Sequence, residues 1–385
     1  MASDAPADDP GRRAHNDANH GLDHVARKAY LARRRVFASD TASHWGTLCG
    51  EQAESLRAVI ALASLFGWLL GVLDITSAFL KTPIPDLEGF PIFALTPPRL
   101  LIKLGLASAH ELWILSHAVY GLREAPRLWG QFRDSCLRVL EWEFEGDKFR
   151  LEQSTLDANW WKVIRVRDDK VEGALLVYVD DFLLRGPEGV LRSLAQALQD
   201  KWATTPLVVA TPEQPIKFLG VDILVVEKGF VLSQQSYAEE VLRLHNVPAH
   251  VKGKIPCPRE LASFEVGEGD TTPPDGEAVH QAQQVTGELL WLSQRTRPDL
   301  AYTASLLASL SRKAPERALR VAERTLAYLQ RTKSAALVTL LPMRRVCKGI
   351  ATRALRPTAF DRMVAGAFAC SVALLLRGVL RDKPL

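Results

Sequence analysis

Two aspartates, Asp180 and Asp181, stand side by side in an otherwise apolar run, residues 173–184 (GALLVYVDDFLL). Burying both is costly, because each ionised carboxylate loses hydration and repels its neighbour. The apolar arms demand a core while the acids demand water or a cation, so the spacing predicts a tight β-hairpin with acid at its bend. A bend can hold both groups at the surface. A divalent cation is the other solution, since Mg²⁺ takes hard oxygen ligands and cancels the repulsion. One more carboxylate at the end of a neighbouring strand would complete a clamp for two ions, of the kind that serves in-line phosphoryl displacement. Asp74, the single charge in the apolar stretch 72–80, is the candidate, although spacing alone does not join it to the pair.

Around this hairpin the pattern alternates helices and strands. A helix is expected over 51–70, closed by Gly71, then a buried strand over 72–80 and a Pro-rich loop over 82–98. Further helices are read at 125–140, 188–202, 236–244, 281–294, 299–311 and 315–330, with a strand at 217–226 and a Pro-, Gly- and acid-rich linker at 255–276. Thr296-Arg297-Pro298-Asp299 has the form of a capping box opening the 299–311 helix.

Composition narrows the class of protein. With 385 residues, 47% hydrophobic and 24% charged, the chain has material for two or three packed units and is neither fibrous nor globally disordered. Five scattered cysteines without a CxxC pair argue against a disulfide scaffold or cysteine-rich zinc module. They fit an intracellular setting, cytoplasmic or nuclear. The acidic N-terminus lacks the apolar core of a signal peptide, and the longest uncharged apolar run, 363–376, is short for a membrane span. A membrane partner is therefore not expected. From Arg312 onward the balance is +12, against −8 for the preceding residues, so only the C-terminal portion carries a charge suited to a phosphate backbone.

Several blocks then resemble, in the correct order, the reverse transcriptase of copia-type LTR retrotransposons. LDITSAFL at 73–80 is similar to that family's D-V-K-T-A-F-L block, and VYGLREAPRLW at 119–129 to Y-G-L-K-Q-A-P-R-x-W. LVYVDD at 176–181 resembles L-Y-V-D-D, while FLGVDI at 218–223 and LSQQSY at 232–237 resemble F-L-G-I-E-I and L-S-Q-x-x-Y. TRPDL at 296–300 is similar to T-R-P-D-I, so the resemblance covers roughly residues 70–335.

The resemblance implies an α+β right-hand polymerase fold (fingers, palm and thumb) whose antiparallel palm sheet packs on helices. A leader (1–24) would precede truncated fingers and palm (25–245), thumb- or connection-like helices (246–335) and a basic, apolar tail (336–385). Asp74, Asp180 and Asp181 become catalytic, metal-binding palm residues holding two Mg²⁺ ions, with Mn²⁺ able to substitute. Phe79, Tyr120, Gly121 and Tyr178 fall at the nucleotide pocket, with Phe79 under the incoming sugar. Phe218, Leu219 and Gly220 match the hairpin that positions the primer, and Arg33 and Arg35 stand where triphosphate contacts would lie. Trp129 and Arg127 are read as structural. The implied activity is RNA-directed DNA synthesis on an RNA or DNA template with primer, from deoxynucleoside triphosphates, alongside other Pol segments. The alternative is an inactive remnant that only binds nucleic acid or a partner. Too few acids follow residue 335 for an RNase H centre, and the chain reads as a domain cut from a longer polyprotein.

Overall fold

The computed structural model describes residues 42–85, 92–227, 229–265, 275–340 and 380–381. The leader, Arg33, Arg35 and the run 363–376 lie outside the described residues. The chain divides into two compact units, one containing Ser77–Cys136 and the other containing Cys49–Thr76 and the chain from Leu137 onward. Among the described residues no helix is long and apolar enough to cross a membrane.

Helix α1 (Ala42–Phe66) ends earlier than expected, at Gly67 rather than Gly71. Gly67 adopts φ +65°, its N–H donates to Ser64 O and the N–H of Trp68 donates to Ala63 O, a Schellman closure that only a residue tolerant of left-handed backbone makes cheaply. The following residues form strand β1 (Leu69–Asp74), three residues ahead of the expected start. The chain then leaves the sheet, so residues 75–80 are not strand, and Ala78–Lys81 make a 3-10 turn.

In the smaller unit, β2 (Ala94–Leu95) and β3 (Trp113–Ile114) pair as a short antiparallel hairpin around helix α2 (Arg99–Lys103). Helix α3 (Ala125–Arg138) begins there and buries Trp129 completely, as expected of a structural tryptophan.

The larger unit carries two antiparallel sheets. Strands β4 (Glu141–Phe144), β5 (Asp147–Gln153), β6 (Trp160–Arg165), β7 (Lys170–Tyr178) and β8 (Asp181–Gly186) form a meander, and helix α4 (Glu188–Lys201) leads to β9 (Val208–Val209). Their sheet runs β4-β5-β6-β7-β8-β1-β9, which inserts β1 beside β8. The second sheet contains β10 (Ile216–Phe218), β11 (Val221–Val226), β12 (Gly229–Ser233), β13 (Ala336–Leu340) and β14 (Leu380–Arg381), in that order. Between β12 and β13 the chain makes helices α5 (Gln235–Leu244), α6 (Gly276–Arg295), α7 (Ala301–Leu310) and α8 (Pro315–Arg331).

One core joins α1 to both sheets through Leu56, Ile60, Leu70, Trp160, Leu176, Leu183, Phe218 and Ile223. Arg185 is buried in it, with its guanidinium 5.2 Å from the Trp68 ring and 5.5 Å from the Trp160 ring, donating to Val59 O at 3.2 Å. Burial lowers its pKa to about 9, which still leaves it cationic at neutral pH. A second core unites α5 to α8 through Val241, Leu289, Leu307 and Leu326.

Three local expectations are corrected. Residues 217–226 are a hairpin rather than one strand, because Leu219 and Gly220 both take positive φ (51° and 73°) and turn the chain between Phe218 and Val221. No capping box forms at Thr296. Its hydroxyl donates to Gln234 Oε1 at 2.9 Å, and Asp299 instead receives both Nε and Nη2 of Arg297, at 3.1 and 2.8 Å. The described part of the expected linker 255–276 is packed: Arg317 donates to Glu265 O at 2.8 Å and to Ser263 O, and Thr325 donates to Pro256 O at 3.1 Å.

Candidate active site

The neighbouring strands β1 and β8 fix the position of the acids. Their antiparallel register pairs Leu73 with Phe182 and Asp74 with Asp181. Across β7 and β8, Tyr178 pairs with Asp181, which leaves Val179 and Asp180 as a two-residue turn. Asp74 and the distant consecutive pair Asp180 and Asp181 therefore gather at one end of adjacent strands. Ile75 N–H donates to Asp180 O at 2.9 Å, so the bonded pair lies one step beyond. Asp74 and Asp181 form the non-hydrogen-bonded kind of pair, with Cα atoms roughly 4.5 Å apart and side chains brought close.

The turn itself is strained. Val179 sits at φ +53°, where a β-branched side chain crowds its own backbone. The flanking arms keep it there: Leu175, Leu176 and Val177 on one side and Phe182, Leu183 and Leu184 on the other are all buried. This conformation is what the apolar–acid–apolar pattern implied, with Asp180 at the bend and Asp181 opening the return strand.

All three acids hold their protons more tightly than free carboxyls. Burial raises the Asp181 pKa to about 6, helped by the charges of Asp180 and Asp74. Burial and then Asp180 raise Asp74, and burial raises Asp180. Among the described residues no group of three or more His, Cys, Asp or Glu side chains is drawn tightly enough to hold a metal ion. The donor chemistry nonetheless suits a hard divalent cation: half-buried carboxylate oxygens whose mutual repulsion a positive charge would cancel.

The pH dependence follows from the direction of the shift. A carboxyl with a raised folded pKa binds more protons folded than unfolded, so its contribution to stability falls as pH rises from about 4 to about 6. Asp181→Asn removes that penalty. In metal-free buffer at pH 7.5 the variant is expected to melt about 2–4 °C higher than wild type, roughly 1 kcal/mol after solvent screening. At pH 4 the gap should close. Thermal melts at the two pH values check this; a variant that melts lower at pH 7.5 refutes the proposed repulsion.

The remaining expected site residues fall in distinct places. Tyr178 is half-buried and packs in part on the first core. Phe218 is itself a core residue, while Leu219 and Gly220 form the tip of the β10–β11 hairpin. Phe79, Tyr120 and Gly121 belong to the smaller unit, where the Phe79 and Tyr120 rings meet edge-on at 5.1 Å and Gly121 takes φ +95°.

Sequence reasoning missed the residues that hold the hairpin tip. Arg295 Nε donates to Leu219 O at 3.3 Å, and its guanidinium lies 3.3 Å from the centre of the Trp291 ring. A side chain added at Gly220 would touch that same indole at 3.5 Å. The signal was a tryptophan and an arginine four positions apart, one helical turn, at the end of α6.

The fold and site define a class: a mixed α/β chain with antiparallel sheets and paired carboxylates at the end of two adjacent strands. The reverse transcriptase (RNA-dependent DNA polymerase) family profile matches residues 51–258, more than half the chain, and the chain belongs to that family. Its relatives are transposon proteins. It is 26% identical over 268 residues to a Saccharomyces cerevisiae protein named for transposon Ty5-1, covering 69% of this chain and 77% of that one. It is 26% identical over 284 residues to the retrovirus-related Pol polyprotein from transposon RE1 of Arabidopsis thaliana, covering 73% of this chain and 17% of the polyprotein. Identity to the corresponding polyprotein from transposon TNT 1-94 of Nicotiana tabacum is 25% over 263 residues, covering 66% of this chain and 18% of the polyprotein. The expected likeness to copia-type reverse transcriptase domains is thus borne out, and the chain spans under a fifth of the plant polyproteins.

Proposed function

We propose that this chain is an RNA-directed DNA polymerase domain that adds deoxynucleotides to a primer annealed to an RNA or DNA template. The supporting observation is the register that sets Asp74 opposite Asp181, with Asp180 in the adjoining turn, in a chain of the reverse transcriptase family. In each cycle the primer 3′ oxygen bonds to the α-phosphorus of the incoming nucleotide. The bond from that phosphorus to the bridging oxygen breaks, pyrophosphate leaves and the hydroxyl proton passes to solvent. Asp74, Asp180 and Asp181 would hold two Mg²⁺ ions, or Mn²⁺, which when bound lower the pKa of a 3′-hydroxyl and offset charge on the α-phosphate.

The chain's own residues supply position. In this reading 25–245 are fingers and palm and 246–335 the thumb, with Tyr120, Gly121 and Tyr178 lining the nucleotide pocket. Phe218, Leu219 and Gly220 seat the primer end, Arg33 and Arg35 contact the triphosphate, and other Pol segments supply the remaining activities. Phe79 closes off the space beside the sugar C2′. Phe79→Val is expected to raise ribonucleotide incorporation about tenfold relative to deoxynucleotide, measured as a ratio of kcat/KM values. An unchanged ratio removes Phe79 from the pocket.

The inactive-remnant reading is not favoured, since the three acids are present and gathered. Primer extension on a primed RNA template, with and without a chelator, tests the proposal. Chelator-sensitive extension is expected; no extension at any Mg²⁺ or Mn²⁺ concentration overturns it.

A further inference from the structure

In a non-hydrogen-bonded pair the N–H and C=O of each residue point away from the partner strand. Asp74 must therefore satisfy its backbone on the side opposite β8. Strand β9 pairs only with Gly71 and Val72 and stops short of it. A single residue takes both groups instead. Asp74 N–H donates to Thr205 Oγ1 at 2.9 Å, and Thr205 N–H donates to Asp74 O at 2.9 Å. The hydroxyl occupies the place of a ladder carbonyl.

The neighbouring residues extend the hold. Thr76 N–H donates to Ala203 O at 2.9 Å, Ile75 and Thr204 form an isolated bridge, and Thr204 Oγ1 donates to Thr205 O at 2.8 Å. The segment is anchored where it leaves α4: Trp202 is buried and meets the Phe182 ring edge-on at 6.2 Å. Phe182 directly follows Asp181, so the same tether reaches both strands that carry the paired acids.

We propose that Thr205 is a positioning residue, whose hydroxyl and amide hold the end of β1 so that the Asp74 carboxylate stays opposite Asp181. The inference rests on the reading of Asp74 as a metal-holding acid. Because the bond is exposed, its loss costs the fold little and acts on geometry. Thr205→Val keeps the shape and removes the acceptor, whereas Thr205→Ser keeps it.

The test uses the full chain. In metal-free protein, the Asp74 amide of Thr205→Val is expected to exchange with solvent about tenfold faster than in wild type. Its dissociation constant for Mn²⁺ alone, read by electron paramagnetic resonance, should rise about tenfold. The turnover number should fall about tenfold with the nucleotide KM within about twofold. Thr205→Ser should restore all three. Wild-type exchange and Mn²⁺ binding in the valine variant, or a serine variant that behaves like valine, overturns the proposal. A wild-type chain that binds no Mn²⁺ overturns the reading of the acids, and the role of Thr205 with it.

Discussion

Asp180→Asn is expected to lower deoxynucleotide incorporation on a primed RNA template by about a thousandfold or more while leaving the fold in place. The two halves of that expectation have separate physical sources. Asp180 is the second residue of a two-residue hairpin turn, a position that asparagine fills as readily as aspartate. Its carboxyl has a raised proton affinity because it is partly buried, and its charge adds to the burden on Asp74 and Asp181. Replacing it with a neutral amide relieves that repulsion, so the melting temperature should stay level or rise. The same change removes an anionic oxygen that a divalent cation requires. A protein that melts like wild type and makes no product assigns the acid to catalysis. Retained incorporation ends the catalytic assignment.

Gly229→Ala should produce the largest loss of stability, about 3 kcal/mol or more. Gly229 opens β12 at φ +148° and pairs with Leu340 of β13. A methyl group there would lie 1.9 Å from Thr339 O and 3.0 Å from its carbonyl carbon, so β13 would have to withdraw. Withdrawal also breaks the link made by the Thr339 hydroxyl, which accepts from Phe230 N–H at 3.2 Å and donates to Phe230 O at 3.0 Å. The melting temperature should fall by roughly 6–12 °C, with the urea midpoint lower and its slope unchanged. Gly276→Ala is the control: it begins α6, and nothing lies within 4 Å of an added methyl group. Equal behaviour of the two variants refutes the close approach at Gly229.

What could be read from the sequence was what local chemistry determines. The helices at 125–138, 188–201 and 315–331 follow from apolar periodicity, and the acid hairpin follows from two aspartates between apolar arms. Errors arose where two solutions compete locally. Gly67 and Gly71 were both available to end α1; Gly67 takes the left-handed turn, while Gly71 lies in β1, where an added side chain would meet Leu207 Cδ1 at 2.9 Å. Thr296 had the spacing of a cap, yet Gln234 captures its hydroxyl and Arg297 captures Asp299. Leu219 gave no turn signal, because a leucine at positive φ is held by its surroundings, here Arg295, rather than by its own preference. A lone charge in an apolar stretch made Asp74 a candidate partner for the pair, but spacing could not join them and only the family resemblance did. Register between distant strands is set by the whole sheet.

The return of the chain to β12 has a practical outcome. Residues 337–340 bond along Gly229–Leu232, although the four helices α5 to α8 intervene. A shortened protein stopping at residue 258, where the family match ends, would bare the ladder groups of β12 to solvent. Such a fragment would offer a sticky border to other copies of itself, and recombinant work on the family-matched part alone should meet aggregation first.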